Sequence, residues 1–193
     1  MLGITTSTLL GDLTNNTAQN LNFAVPVKYV RKAMLGEDIN FTENSPDFLY
    51  CQGVIYENKN DYEKATTSFL KALRIDEKYA QAYVELGECY YKTGDYDREM
   101  KMLEAATALI GDDPDVFVSL AGACEDVGNY DAAITNYKKA LQYRQDDKDA
   151  LYSLCILEIT KGDAAEARAY IAQLAKLNKG LGGEMNILLD RTK

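Results

Sequence analysis

Residues 80–96 read Ala-Gln-Ala-Tyr-Val-Glu-Leu-Gly-Glu-Cys-Tyr-Tyr-Lys-Thr-Gly-Asp-Tyr. Gly94 falls where one helix must stop, since a left-handed C-terminal turn tolerates Gly or Asn. Asp95 then stands ready to cap the helix that follows. Shifting the sequence by 34 residues brings the same features back: Asn60, Gly94, Gly128 and Gly162 form the stopping column, with Asp61, Asp95, Asn129 and Asp163 next to them.

Other columns keep the step. Gly53, Gly87, Ala121 and Cys155 form one, and Ala65, Glu99, Ala133 and Ala167 another twelve residues on; both are mostly small. Tyr62, Tyr96 and Tyr130 recur, as do Phe69, Leu103, Tyr137 and Ile171, and Ala72, Ala106 and Ala140. Two antiparallel helices approach closely only where small side chains face each other, while tyrosine and leucine fill the wedge beside them. Thirteen of the fourteen tyrosines lie in this region and about half sit in packing columns, so most of the tyrosine excess is expected in the core rather than in a binding box.

These columns resemble the tetratricopeptide repeat (TPR) family, whose period is 34 and whose hairpin pattern includes Leu-Gly-x-x-Tyr, as in Leu86, Gly87 and Tyr90. The resemblance implies four units, 46–79, 80–113, 114–147 and 148–177. Ser45 before Pro46 and Asp113 before Pro114 pair an N-cap residue with proline at the first helical position, where its missing N–H does no harm. Leu181, Met185, Leu188 and Leu189 then mark a short capping helix at 181–191, as solenoids require at their ends. The expected fold is all-α: a right-handed superhelical stack of hairpins with a C-terminal capping helix, preceded by a small N-terminal β-hairpin and helix. Glu99 stands in an alanine column, Cys155 and Glu158 replace Gly and Tyr in the fourth unit, and Ala164 replaces the tyrosine, so units two and four should pack less regularly. Glu99 is expected to reach solvent along its methylene stem, because burying it without a partner is expensive.

Composition narrows the function classes. With 21 Lys plus Arg against 30 Asp plus Glu, the net charge is −9, which repels phosphate backbones and anionic lipids, so nucleic acid is excluded as a partner. No apolar run approaches the roughly 18 residues of a spanning helix, and Met1 to Leu10 lacks a basic secretory n-region. The chain as written is expected in the cytoplasm, without membrane insertion. Cys51, Cys89, Cys124 and Cys155 lie 38, 35 and 31 residues apart, without the close pairs of zinc or redox sites, so they are expected in the core and no metal or cofactor is implied. The acidic residues have no spacing that recommends hydrolysis or metal binding.

Residues 1–45 carry no such period. Two β-prone runs, Leu2 to Leu9 and Leu21 to Val27, flank a polar loop and lead into an amphipathic helix, Lys28 to Leu35. Leu2-Gly3-Ile4-Thr5-Thr6-Ser7-Thr8 followed by Asn20-Leu21-Asn22-Phe23-Ala24-Val25-Pro26 resembles the last strands and closing helix of trypsin-like serine proteases of the HtrA/Deg kind. The resemblance places Thr5 to Ser7 at cleft-edge positions. The 193 residues contain no histidine and no Gly-x-Ser-Gly-Gly or Gly-x-Ser-x-Gly segment, so no Ser-His-Asp relay can be assembled and the chain is not expected to be an enzyme. Three explanations stand: a start placed inside a longer protease-plus-repeat gene, whose product would belong to the cell envelope; a remnant kept as a docking segment; or chance likeness of β-prone sequence. Two strands and a helix bury little apolar area, so residues 1–35 should lean on the first repeat or on a second copy, and deleting 1–44 should alter self-association. The sequons at Asn15 and Asn40 matter only in a glycosylating pathway.

The TPR resemblance implies that first helices line a concave face, here Asp47, Tyr50, Val54, Glu57, Gln81, Val84, Glu88, Tyr91, Asp115, Val118, Glu125, Tyr152 and Ile156. That face is acidic with apolar islands, and Lys92 is essentially its one cation, unlike the Lys, Arg and Asn of TPRs that clamp a C-terminal carboxylate. A basic or amphipathic protein segment is the expected partner, with charge aiding encounter and tyrosine or valine supplying residence. Reversing Glu57, Glu88 and Glu125 together should then weaken capture and its salt sensitivity. Two functions follow: a scaffold or adaptor holding such a segment, or the C-terminal part of a trypsin-like protease whose repeats recruit substrate or order an assembly.

Overall fold

A computed structural model describes residues 45–192. The expected N-terminal β-hairpin and helix, the protease-like segment and the self-association surface lie outside these residues. Among the described residues every regular element is an α-helix: α1 Pro46–Asn58, α2 Tyr62–Ile75, α3 Ala80–Thr93, α4 Tyr96–Ile110, α5 Pro114–Asp126, α6 Tyr130–Tyr143, α7 Lys148–Lys161, α8 Ala164–Leu177 and α9 Lys179–Arg191. The chain divides at Gly94 into two compact units, so α1–α3 belong to the first and α4–α9 to the second.

The punctuation read from the sequence is the punctuation of the fold. Asn60, Gly94, Gly128 and Gly162 all have positive φ, between 59° and 84°. The side chains of Asp61, Asp95, Asn129 and Asp163 accept backbone N–H groups at the starts of α2, α4, α6 and α8. Ser45 and Asp113 cap α1 and α5 directly ahead of their prolines. Each cap satisfies a donor with no intrahelical partner and stabilises its helix by about 1 kcal/mol.

In the first unit α1, α2 and α3 close around Leu49, Phe69, Ala65, Ala72, Leu86 and Cys89. Gly53 is what lets α1 and α2 meet: a Cβ there would lie 2.5 Å from the fully buried ring of Phe69. The second unit holds two linked clusters. Leu103, Leu120, Ala121, Ala133, Tyr137 and Leu154 belong to the first, and Leu151, Cys155, Ala167, Ile171, Met185 and Leu189 to the second. The closing helix starts two residues earlier than expected, at Lys179, because Asn178 accepts the N–H groups of Gly180 and Leu181.

Two expectations are corrected. Glu99 does not reach solvent: it is only 6% exposed, enclosed with the rest of its alanine column. The recurring tyrosines at 62, 96 and 130 are the first residues of α2, α4 and α6, where the side chain stands at the hairpin rim; Tyr96 and Tyr130 are 39 and 55% exposed. Among the described residues only Tyr50, Tyr90 and Tyr137 are buried, so the period overstated the share of tyrosine in the core. All four cysteines are buried, as expected of small hydrophobes.

Candidate functional site

The first unit presents a face built from α1 and α3. Asp47, Tyr50, Val54 and Glu57 sit at helical spacing on α1, and Gln81, Val84, Glu88 and Tyr91 on α3. Asp47, Tyr50 and Val54 are buried, so their work is to seat α1 rather than to offer surface. The Tyr79 hydroxyl donates to Asp47 Oδ1 at 2.9 Å, the Tyr50 hydroxyl donates to Glu85 Oε1 at 2.8 Å, and the Tyr50 ring lies 5.7 Å from Phe69 and 5.3 Å from Tyr79. Gln81, Glu88 and Tyr91 are exposed, while Val84 and Glu57 are half-buried.

Glu57, near the end of α1, lies within hydrogen-bonding reach of Glu85 on α3. Burial, then the nearby charges of Glu85 and Glu88 and the hydrogen bond to Glu85, push the Glu57 carboxyl up to about 8, against the opposing pull of Lys92. Burial likewise raises Glu85, while hydrogen bonds with Tyr50 and Glu57 act to lower it. The Tyr50 hydroxyl is driven well above its ordinary range by burial and by Glu85. Lys92 Nζ pairs with Glu88 at 2.9 Å, so the one cation on this face is already engaged.

In the second unit Asp115, Val118 and Glu125 lie on α5, and Tyr152 and Ile156 on α7. Asp115 is exposed and pairs with Arg144, which also holds Asp147 through Nε at 2.9 Å. Glu125 accepts the Tyr137 hydroxyl at 2.6 Å. Val118, Tyr152 and Ile156 are half-buried, each with one edge in the core and the other open. Sequence reasoning missed Glu85. The signal was present: at the 34-residue step its column otherwise reads Cys51, Ser119 and Ser153, small residues among which one carboxylate is the departure.

Residues 55–94 match a family model described as TPR repeat, and residues 80–113 and 126–180 match models described as tetratricopeptide repeat. This is a tetratricopeptide repeat protein. The TPR chain is 29% identical over 137 residues to superkiller protein 3 of Schizosaccharomyces pombe, which covers 70% of this chain and 10% of that protein. It spans 10 to 38% of the length of the curated relatives it matches. Among solved structures, a tetratricopeptide repeat protein from Parabacteroides merdae is similar with a TM-score of 0.72 and 16% identity, covering 76% of this chain and 59% of that one. YrrB, described as a TPR protein with an unusual peptide-binding site, gives a TM-score of 0.63 at 19% identity, covering 73% of this chain and 82% of that one. At such identities the likeness concerns the fold alone. The TPR chain's resemblance to trypsin-like proteases, carried by residues 1–35, gains no support from these comparisons. Among its described residues no helix is long and apolar enough to cross a membrane.

Proposed function

We propose that this chain is a docking scaffold whose first helices hold a basic or amphipathic segment of another protein. The observation that carries the reading is that each unit presents half-buried apolar side chains on the same helices as acidic ones: Val118, Tyr152 and Ile156 on α5 and α7 with Asp115 and Glu125 on α5 in the second unit, and Val84 one turn from Glu88 on α3 in the first. Apolar side chains with one open edge can be desolvated by a partner at little conformational expense, because the core already fixes their rotamers. The net charge of −9 favours cationic segments in encounter and disfavours nucleic acid. The peptide-binding site in YrrB's description supports the class of ligand and nothing finer.

Buried Asp47, Tyr50 and Val54 are set aside as contacts, and Glu57 and Glu125 already serve neighbouring helices, so reversing them would confound binding with folding. The cleaner test uses exposed Glu88→Lys with exposed Tyr91→Ala, both on α3. Binding of a lysine-rich amphipathic helical peptide to the full chain, followed by fluorescence anisotropy at about 50 and 300 mM salt, should weaken by roughly tenfold in the double variant, with a smaller salt dependence. Unchanged affinity and salt slope would remove the α3 face from consideration.

A further inference from the structure

Opposite sides of α9 differ in what they meet. Gly182, Met185 and Leu189 lie on one side and are buried against α8 and the second core cluster. On the other side, at helical spacing, stand Gly180, Glu184, Ile187, Leu188 and Arg191, all exposed. Ile187 is 57% exposed, more than any other large hydrophobic among the described residues, and Leu188 beside it is 36% exposed. A helix lying on a core ordinarily turns polar residues to water. Here the middle of the outer face is apolar, and its charges stand on either side of that middle.

Exposed apolar residues scattered singly call for no explanation, so the pair alone decides nothing. The charges around it are the second observation. Glu184 precedes Ile187, and Arg191 follows Leu188, by the same interval, so the two are placed symmetrically about the midpoint of the apolar pair, roughly 5 Å along the axis on either side. Within α9 neither can reach an opposite charge: the neighbours of Glu184 on that face are Gly180, Leu181, Ile187 and Leu188, and those of Arg191 are Ile187 and Leu188. Among the described residues no ion pair includes either of them.

We propose that this face pairs α9 with α9 of a second copy of the chain, antiparallel, about a two-fold axis passing between Ile187 and Leu188. Under that operation the face is its own complement. Ile187 of each copy meets Leu188 of the other, and Glu184 of each meets Arg191 of the other, so the contact has an apolar centre between two ion pairs. A parallel pairing would set Glu184 against Glu184 and Arg191 against Arg191, and like charges oppose it. Antiparallel packing also brings the positive end of each helix dipole to the negative end of the other. One helix face per copy is a small contact, below about 1,200 Å², so the dimer forms at roughly 10–500 μM rather than at nanomolar concentration. The contact is confined to α9 and holds whether or not the first helices bind another protein.

The experiment is sedimentation equilibrium of the full chain from about 10 to about 500 μM. The apparent mass should rise with concentration from that of one chain towards that of two. Ile187→Lys should raise the dimer Kd by roughly tenfold or more, and so should Glu184→Arg or Arg191→Glu, each of which sets like charges together twice. An equimolar mixture of the Glu184→Arg and Arg191→Glu chains should dimerise where neither does alone, because every charge then meets its opposite. Recovery in the mixture also excludes misfolding of either variant as the cause of its loss. A chain that stays monomeric across the range overturns the proposal. So does association that survives all three substitutions, which would belong to another surface such as residues 1–35, and so does loss in the single variants without recovery in the mixture.

Discussion

Two adjacent glycines in α9 should respond to the same substitution with opposite signs. Gly182 is buried against α8, and a Cβ placed on it would come within 2.4 Å of the Ala175 Cβ, 2.6 Å of its Cα and 3.0 Å of its backbone nitrogen. Ordinary carbon contacts are about 3.5–4.0 Å, so α9 would have to lift from α8 by roughly 1 Å. The obstruction is backbone, which cannot rotate aside. Overpacking of this kind costs about 1–3 kcal/mol, and alanine's better helix propensity returns about 0.5–1, so Gly182→Ala should lose about 1–2 kcal/mol net. Gly183 has nothing within 4 Å of its would-be Cβ, so Gly183→Ala should gain about 0.5–1 kcal/mol. Because a terminal helix can detach without unfolding the rest, the assay is native-state hydrogen exchange of the Met185 and Leu189 amides rather than a melting scan alone. Protection there should drop by roughly 5- to 30-fold in Gly182→Ala and rise by a few-fold in Gly183→Ala. Equal effects at the two positions, or a gain at Gly182, would refute the packing geometry of the C-terminal hairpin.

Gly53→Ala should behave like Gly182→Ala, since the new methyl would strike the Phe69 ring at 2.5–2.8 Å and that ring has no room to yield, whereas Gly122→Ala, with nothing within 4 Å, should be neutral or stabilising; urea midpoints of the pair decide this. Asp147 is buried, accepts the N–H groups of Asp149 and Ala150 at 3.1 and 2.9 Å and holds Arg144, so Asp147→Ala should lower stability by about 1–2 kcal/mol by chemical denaturation. Glu158 is only 3% exposed and is reached by Lys138 Nζ at 3.3 Å; Lys138→Ala should cost about 1–2 kcal/mol, and adding Glu158→Leu should recover most of it, because the expense lies in the stranded carboxylate rather than in the lost bond. A double-mutant cycle in urea measures that recovery, and a strictly additive result would contradict it.

The parts of this fold legible in the sequence are those governed by backbone conformation. A left-handed residue followed by a capping oxygen is a local requirement that few side chains meet, so Asn60, Gly94, Gly128 and Gly162 and their neighbours could be read directly. Columns of alanine and glycine were legible for a related reason: close helix approach leaves no room for alternatives, as the Phe69 ring against Gly53 illustrates. Where a column tolerates several sizes, the period names a position but not what encloses it. Tyr130 and Glu99 recur in step with their neighbours, yet the tyrosine lies at the hairpin rim and the carboxylate is enclosed.

Charge was the least legible of all. The acidic face was counted as a sum, whereas its chemistry depends on which groups meet, and Tyr50 and Glu85 are brought together only by the return of the chain through α2. A periodic sequence describes each helix against its counterpart one repeat away, but this contact joins residues outside any shared column. The informative mark is a polar departure from a small column, as at Glu85 and Glu99, because a repeat that accepts a carboxylate where its copies keep Cys, Ser or Ala must supply a partner, a proton or a path to water. At Glu85 the supply is the Tyr50 hydroxyl of α1, which donates to it at 2.8 Å, so the most irregular position of that small column is also a polar tie between two helices.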